Sequence, residues 1–234
     1  MKKVYMAEIK VLSSIATREA YNELVPQFER QTGHKVTTTW AGTVEIMKRM
    51  AAGAEVHDLV VISTTELDDL IKQGKLVAGS RVDLAKSGIG VAVRAGAPKP
   101  DIGSLDALKR ALLAAKTVGY TSGPSGVYMG QLIERMGIAA DTKPKVRSVP
   151  SGGTIGTIVA SGECEIGFQQ VSELVHIEGT DYVGPLPAEV QRVTVFSSGI
   201  LTGALNPGGA KALQQFLTTP NAAATMRKHG LETN

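Results

Sequence analysis

The sequence has 234 residues, of which 43% are hydrophobic and 20% are charged, a composition typical of globular proteins with buried apolar cores. This length is large for one small domain and suits two units of ordinary size. The formal net charge is +3 and no run of Lys and Arg exceeds a dipeptide, which argues against a nucleic-acid-binding protein with its concentrated basic stripe. The single cysteine, Cys164, excludes an intramolecular disulfide, and no apolar stretch approaches the roughly 20 residues of a membrane span.

Strand and helix patterns alternate along the first part of the chain. Runs of apolar or β-branched residues predict strands, and apolar residues spaced three to four apart predict helices that end at a glycine. The pattern predicts strands over 9–12, 35–40, 57–62 and 89–94, and helices over 17–31, 44–52 and 66–73. The run 57–62 is nearly continuously apolar, as in a strand buried on both faces. Pro26 lies inside the first helix and predicts a kink or a local distortion.

A stretch rich in Pro and Gly, 95–100, predicts the exit from a crossing strand into a second lobe. Beyond it, the pattern predicts helices over 104–115, 125–137 and 154–162, strands over 117–121, 145–150 and 165–169, a return strand over 193–196, and two final helices that start at Pro207 and near Pro220. This alternation predicts an α/β protein with mostly parallel sheets.

Short turns rich in Gly and hydroxyl side chains follow four of the predicted strands and lead into helices. The first N–H groups of a helix lack helical partners and carry a partial positive charge. In open α/β sheets, ligands bind beyond the carboxyl ends of the strands, so converging turns would form a neutral set of donors for an oxyanion or a carboxylate. Each such Ser or Thr, taken alone, could equally be a plain helix N-cap. The candidate binding residues in these turns are Ser13, Ser14, Gly42, Thr43, Ser122, Ser125, Gly126, Gly153 and Thr154.

Four other side chains are candidates for the same site. Arg94 ends an apolar strand and could clamp a carboxylate with two hydrogen bonds, or could be a solvated strand end or a structural ion pair. Gln169 and Gln170 end a predicted strand and could orient a ligand. Tyr128 could offer its hydroxyl, although a packed core tyrosine fits the position as well.

The sequence lacks the motifs of common catalytic and metal sites. The four histidines lie far apart, and neither a nucleophile elbow nor a phosphate- or dinucleotide-binding loop occurs. The acidic neighbours of Cys164 are expected to raise the pKa of its thiol, which disfavours a nucleophile. We therefore expect no metal, no organic cofactor and no catalytic residue.

Several segments resemble molybdate-type periplasmic solute-binding proteins, the substrate-binding components of ABC transporters. They are IKVLSS (9–14), ELVPQFE (23–29), TGHKV (32–36), AGAEVHDLVV (52–61), GVAVRAGAP (90–98) and GECEIG (162–167). The similarity extends over nearly the whole chain from Ala7 onward.

The resemblance implies an α/β, two-lobed periplasmic-binding-protein-like fold of type II, with a ligand cleft between the lobes and two crossing strands as the hinge. Lobe 1 would hold 7–92 and 194–234, and lobe 2 would hold 93–193. The resemblance places Ser13 or Ser14, Gly42 or Thr43, Ser125 and Thr154 around the ligand. It also implies uptake of a small anionic ligand by a periplasmic monomer with an ABC transporter permease as partner. No signal peptide follows Met1, so a cytoplasmic location is the alternative.

One departure from the family concerns the ligand. Molybdate binders similar to this chain usually carry a tyrosine after the strand that ends here in GFQQ (167–170). The glutamines and Arg94 suit an organic acid better than molybdate. A second interpretation is an enzyme like aconitate isomerase, which is similar to this family in fold and would need a base near an acidic C–H group. A third is a cytoplasmic ligand-sensing module.

Overall fold

The computed structural model of the protein describes residues 8–233, and the chain divides into two units. The first unit takes the chain up to Lys86 and again from Thr194, and the second unit is Ser87–Val193. Each unit contains one five-stranded sheet with helices packed on it. No helix among the described residues is long and apolar enough to cross a membrane.

Ten strands build the two sheets. In chain order they are β1 (Glu8–Ser14), β2 (Lys35–Ala41), β3 (Leu59–Ser63), β4 (Val82–Ser87), β5 (Ile89–Arg94), β6 (Val118–Thr121), β7 (Val146–Val149), β8 (Ile166–Gln170), β9 (Thr180–Pro185) and β10 (Thr194–Ile200). Their order is β2-β1-β3-β10-β4 in the first unit and β7-β6-β8-β5-β9 in the second.

Ten α-helices occur in the described chain, eight of them between strands and two after the last strand. They are α1 (Arg18–Thr32), α2 (Thr43–Ala52), α3 (Thr64–Lys72), α4 (Leu105–Ala114), α5 (Pro124–Arg135), α6 (Ala139–Thr142), α7 (Ile155–Ala160), α8 (Val171–Leu174), α9 (Pro207–Leu217) and α10 (Pro220–Lys228). Short 3-10 turns occur at Ile15–Thr17, Lys143–Lys145 and Ala188–Val190. Helix α1 continues through Pro26, whose missing N–H leaves the carbonyl of exposed Asn22 to water.

Both sheets are mixed, whereas the sequence pattern predicted mostly parallel sheets. Strands β1, β2 and β3 are parallel, and so are β6, β7 and β8. Strand β10 runs antiparallel to β3, and β5 runs antiparallel to both β8 and β9. Parallel neighbours are joined by helical crossovers. The chain enters β5 and β10 from the other unit instead, so no crossover fixes their direction.

Strand β5 belongs to the sheet of the second unit, because both of its paired neighbours do. The boundary between the two units at Lys86 and Ser87 therefore precedes β5. The chain returns to the first unit between Val193 and Thr194.

The first sheet is covered by helices on both faces. Alternate residues of its strands enter two apolar clusters: Val11 packs with α1 and α9, whereas Leu12 packs with α2 and α3. Strand β3 contributes to both clusters, and its four aliphatic residues from Leu59 to Ile62 are fully buried. Burial of such a side chain stabilises the fold by about 1.5–3 kcal/mol, which explains the continuous apolar run in the sequence.

Candidate functional site

The carboxyl ends of three parallel strands lie at one edge of the first sheet. Ser14 is paired with Ala41 of β2, and Ser13 is paired with Val61 of β3, two residues before β3 ends. A helix or 3-10 turn begins directly after β1 and β3, and one residue, Gly42, separates β2 from α2. We call this edge the first donor edge; it comprises Ser13, Ser14, Gly42, Thr43, Ser63 and Thr64. The sequence singled out the first four. Ser63 and Thr64 were not singled out, although they show the same pattern of hydroxyl residues between a strand and a helix.

The serines that end β1 are buried and engaged locally. The Ser13 hydroxyl lies 3.0 Å from the hydroxyl of Thr17, and Ser14 caps the following turn by accepting from the Ala16 N–H at 3.4 Å. Ser14 therefore acts as an N-cap, as the plainer interpretation of the sequence allowed. Both residues also fix where the chain turns away from the strand.

Thr43 presents a hydroxyl that the protein itself does not use. Gly42 caps α2 in an extended conformation, and the first helical bond runs from Ile46 N–H to the Gly42 carbonyl at 2.9 Å. The N–H groups of Thr43 to Glu45 thus precede the helical ladder. Thr43 is only 9% exposed, and its hydroxyl has no hydrogen-bond partner among residues 8–233 although its oxygen keeps access to solvent. A ligand with acceptor oxygens would satisfy this donor.

The second sheet has a similar edge. Thr121 at the end of β6 is paired with Val149 at the end of β7, and Phe168 of β8 lies opposite Tyr120. We call this edge the second donor edge; it comprises Ser122, Ser125, Gly126, Gly153, Thr154, Gln169 and Gln170. Two of its turns are joined directly, since the Ser151 N–H donates to the Ser122 hydroxyl at 3.0 Å. The structure therefore brings seven of the predicted residues together.

The start of α5 packs unusually tightly against the end of β6. A Cβ on Gly126 would lie 1.6 Å from the carbonyl oxygen of Thr121, so only glycine fits there. The Thr121 hydroxyl accepts from the Gly123 N–H at 3.1 Å and fixes the entry to the helix. Ser125 is 6% exposed, and its hydroxyl, like that of Thr43, has solvent access but no hydrogen-bond partner among the described residues.

Gln169 supports the turn before α7. Its Oε1 accepts from the Ile155 N–H at 2.8 Å, and its Nε2 donates to the Gly153 carbonyl at 3.0 Å and to the Glu173 carboxylate. Both amide hydrogens are therefore used, which leaves Gln169 no donor for a ligand. The prediction that it orients a ligand is replaced by a role in holding Gly153 and Thr154 in place. Thr154 is half-buried and caps α7 without a side-chain hydrogen bond.

Gln170, which belongs to the second donor edge, and Tyr128 of α5 have different surroundings. Gln170 ends β8, is 5% exposed and precedes the first residue of α8. The Tyr128 hydroxyl donates to the Val190 carbonyl at 2.8 Å and accepts from Arg135 at 3.0 Å, while its ring packs on the core of the second unit. Tyr128 therefore matches the packed core tyrosine that the sequence left open.

Arg94 lies at the wrong end of its sheet to join the second donor edge. The register of β5 with β8 pairs Ile89 with Gln170 and Val93 with Ile166, so Arg94 lies beyond the start of β8. Five residues of strand separate it from the level of Gln170, which is about 17 Å. The prediction that Arg94 binds the ligand assumed that the carboxyl end of β5 lies at the ligand, but β5 runs antiparallel to β8, and its carboxyl end lies at the opposite edge. Arg94 is exposed and is paired with Thr180 of β9.

The charged groups in the first turns of the first unit are paired. Arg49 donates to the Glu45 carboxylate at 2.9 Å, and this hydrogen bond lowers the pKa of Glu45. Arg18 lies 3.0 Å from Glu19 in the first turn of α1. The donors at this edge are therefore chiefly neutral amides and hydroxyls, which suit an anion without fixing its charge.

Metal and thiol chemistry find little support among the described residues. No group of three or more His, Cys, Asp or Glu side chains between residues 8 and 233 could hold a metal ion. Cys164 is fully buried beside Ile155 and Val159, and burial raises the pKa of its thiol to about 11. Burial raises the pKa of this thiol more than the acidic neighbours of Cys164 do. Burial also lowers the pKa of His57, against the opposing effect of Glu55, which favours a neutral structural histidine.

The family model for bacterial extracellular solute-binding proteins matches residues 9–232. The chain belongs to this family. The solute-binding protein is 36% identical over 229 residues to an aconitate isomerase from a Pseudomonas species, covering 96% of this chain and 87% of that protein. It is 26% identical to the molybdate-binding protein ModA of Azotobacter vinelandii, covering 96% and 89% of the two chains.

The solved structures show the fold. The periplasmic molybdate-binding protein of Azotobacter vinelandii superposes with a TM-score of 0.81 at 19% identity, covering 97% of the solute-binding protein and 99% of that chain. The predicted α/β, type II periplasmic-binding-protein fold and the resemblance to molybdate-type binders are thus confirmed.

Proposed function

We propose that this solute-binding protein binds a small carboxylate through the hydroxyl and amide donors that follow its parallel strands. The observation that carries the proposal concerns Thr43 in the first unit and Ser125 in the second, which are only 9% and 6% exposed. Their hydroxyls have no hydrogen-bond partner among residues 8–233 and keep access to solvent. Each lies in the first turn of a helix, beside N–H groups that precede the helical ladder, so the acceptor oxygens of a ligand would replace water at these donors.

Two arguments favour a carboxylate over molybdate. The strand β8 ends in Gln169 and Gln170, where molybdate binders similar to this chain usually carry a tyrosine. The relative with 36% identity is named for aconitate, a tricarboxylate, whereas the molybdate-binding relative is 26% identical.

A ligand panel measured by thermal shift and calorimetry tests the proposal. Citrate, cis-aconitate and trans-aconitate, offered at 100 times the dissociation constant, should stabilise the protein by about 2.7 kcal/mol. Glucose and putrescine should not. Stabilisation by molybdate or sulfate alone would contradict the carboxylate assignment, and stabilisation by neither class would contradict anion binding altogether.

The family further suggests a role in uptake, in which the loaded protein delivers its ligand to a transporter permease outside the cytoplasm. Membership in an extracellular solute-binding family supports this assignment. Growth on the identified carboxylate should then depend on the protein and on a permease, and the protein should be recovered in the periplasmic extract. Recovery in the cytoplasm with growth unaffected would favour the sensing role.

A second candidate function is isomerisation of aconitate, favoured by the 36% identity over 96% of the chain to a protein of that name. The reaction needs a group that moves a proton at carbon. Glu45, Glu66 and Glu173 are the carboxylates nearest in sequence to the donor edges, but each already accepts a hydrogen bond, from Arg49, Ser63 and Gln169 respectively. Proton NMR of cis-aconitate incubated with the protein decides: many turnovers to the trans isomer establish the enzyme, and an unchanged spectrum with bound ligand establishes the binder.

A further inference from the structure

A cavity of about 420 Å³ lies within the first unit, and we call it the α9 cavity. Residues 77–82, which form the turn before β4 and its first residue, line one side, and α9 lines another with side chains from residues 211–215. Ile200 also lines the cavity and is paired with Leu59, where β3 begins, whereas the first donor edge lies where β3 ends. The α9 cavity is therefore separate from that edge. Its volume falls in the range of about 300–1,000 Å³ that is common for small-molecule sites.

The contacts of Gln214 in this cavity fix which way its amide points. Its Nε2 donates to the Ser80 carbonyl and to the Ser198 hydroxyl, both at 2.9 Å, which uses both amide hydrogens. The Ser198 hydroxyl donates its own hydrogen to the Val82 carbonyl at 3.3 Å, so it accepts from Gln214. Because the Ser80 carbonyl needs a donor, the nitrogen and the oxygen of the Gln214 amide cannot exchange places.

The amide oxygen of Gln214 is an open acceptor. It has no hydrogen-bond partner among residues 8–233 and keeps access to solvent, although the residue as a whole is only 3% exposed. Since Gln214 lines the α9 cavity, this oxygen reaches solvent through the cavity. An N–H group of a ligand would replace water at this acceptor.

A donor lies beside this acceptor. The Ser80 hydroxyl accepts from the Ile200 N–H at 3.0 Å, and its own hydrogen has no acceptor within the described chain. Ser80 is adjacent to Gln214, because its carbonyl binds the Gln214 amide. Val77 and Val82 add apolar side chains to the walls. An amide group carries an N–H donor next to a carbonyl acceptor, which matches the acceptor of Gln214 and the donor of Ser80.

An anion fits the α9 cavity less well than an uncharged amide. Lys211 lines the cavity, but its side chain is exposed, so its charge is solvated and attracts an anion weakly. A carboxylate only accepts hydrogen bonds and would place an oxygen against the oxygen of Gln214. An amide supplies the donor that Gln214 requires.

We infer that the α9 cavity binds an uncharged small molecule with an amide group and a short aliphatic chain, at a site separate from the donor edges. The Gln214 oxygen accepts from the amide N–H, and the Ser80 hydroxyl donates to the amide carbonyl. The aliphatic chain packs against Val77 and Val82, where its removal from water stabilises the complex.

Ligand-observed NMR titration of the wild-type protein with three probes tests the inference. Pentanamide should bind. N,N-dimethylpentanamide, which lacks the N–H group, should bind about threefold to tenfold more weakly, the value of one hydrogen bond. Pentanoate, which has a second acceptor in place of the N–H group, should not displace bound pentanamide.

Ala78→Leu tests whether the probe binds in this cavity. Ala78 is exposed and lines the cavity, so a leucine there narrows the cavity and leaves the core intact. Pentanamide affinity should fall about tenfold or more, since the added side chain has to move before the ligand enters. Ala51→Leu is the matched control, because Ala51 is an exposed alanine of α2 outside the cavity and should leave the affinity unchanged.

Four results would each overturn the inference: no binding of pentanamide, equal binding of its dimethyl analogue, displacement by pentanoate, or full affinity in Ala78→Leu. None of them bears on carboxylate binding at the donor edges, which the carboxylate panel tests separately.

Discussion

Gln169→Met tests the part of the site whose geometry is best defined. Methionine fills nearly the same volume as glutamine but removes three hydrogen bonds at once. It leaves the Ile155 N–H and the Gly153 carbonyl without their partner and removes one donor from the Glu173 carboxylate. These groups hold the turn between β7 and α7, which carries Thr154.

The size of the effect follows from burial. Ile155 is fully buried, so its orphaned N–H cannot reach water and destabilises the fold by about 1–3 kcal/mol. Gly153 is half-buried, and its carbonyl can bind water in place of the lost donor, so it adds about 0.5–1 kcal/mol. The total is about 1.5–4 kcal/mol, or a melting temperature lower by about 3–16 °C for a protein of this size.

Urea unfolding followed by circular dichroism measures the change directly. Gln215→Met on α9 is the control, since Gln215 is exposed and should tolerate the same substitution within about 0.5 kcal/mol. A loss below about 0.5 kcal/mol in Gln169→Met would show that the turn does not depend on this side chain. Equal losses in both variants would show a general effect of methionine.

Three further predictions concern single residues. Gly126→Ala should lower the free energy of unfolding by at least about 2 kcal/mol, because the added Cβ would overlap the Thr121 carbonyl. Gly130→Ala, in the same helix but with open space around it, should stabilise the protein by about 0.4–1 kcal/mol. Urea titration compares the two variants, and equal effects would refute the packing argument. Arg94→Ala should leave carboxylate affinity by calorimetry unchanged, and a tenfold loss would return Arg94 to the site. Cys164, with its thiol pKa raised to about 11 by burial, should react with a thiol reagent at pH 8 only after unfolding in urea, and rapid labelling of the native protein would refute its burial.

The sequence predicted most elements of the fold because their hydrophobic periods are strong. The apolar run of β3 and the glycine stops of α1 and α2 define those elements locally. Strands β4 and β9 were missed, since β4 is interrupted by charged residues and β9 is only half-buried, so neither shows a clear alternation.

The candidate site was likewise predicted only in part. The donor turns were recognised because hydroxyl and glycine residues after a strand are a local signal. Arg94 was misplaced because the direction of β5 depends on its pairing with β8, which no local pattern specifies. The use of Gln169 by the backbone depends on contacts 14 and 16 residues away along the chain, which likewise leave no trace in the local sequence.

The central claim is that a small carboxylate is bound by the hydroxyl and amide donors that follow the parallel strands. Calorimetry of the wild type, Thr43→Val and Ser125→Ala with the same carboxylate tests it most directly. The wild type should bind the carboxylate, and removal of a hydroxyl that binds it should lower the affinity about tenfold or more, the value of a hydrogen bond to a charged group. No carboxylate binding by the wild type, or full affinity in both variants, would contradict the claim.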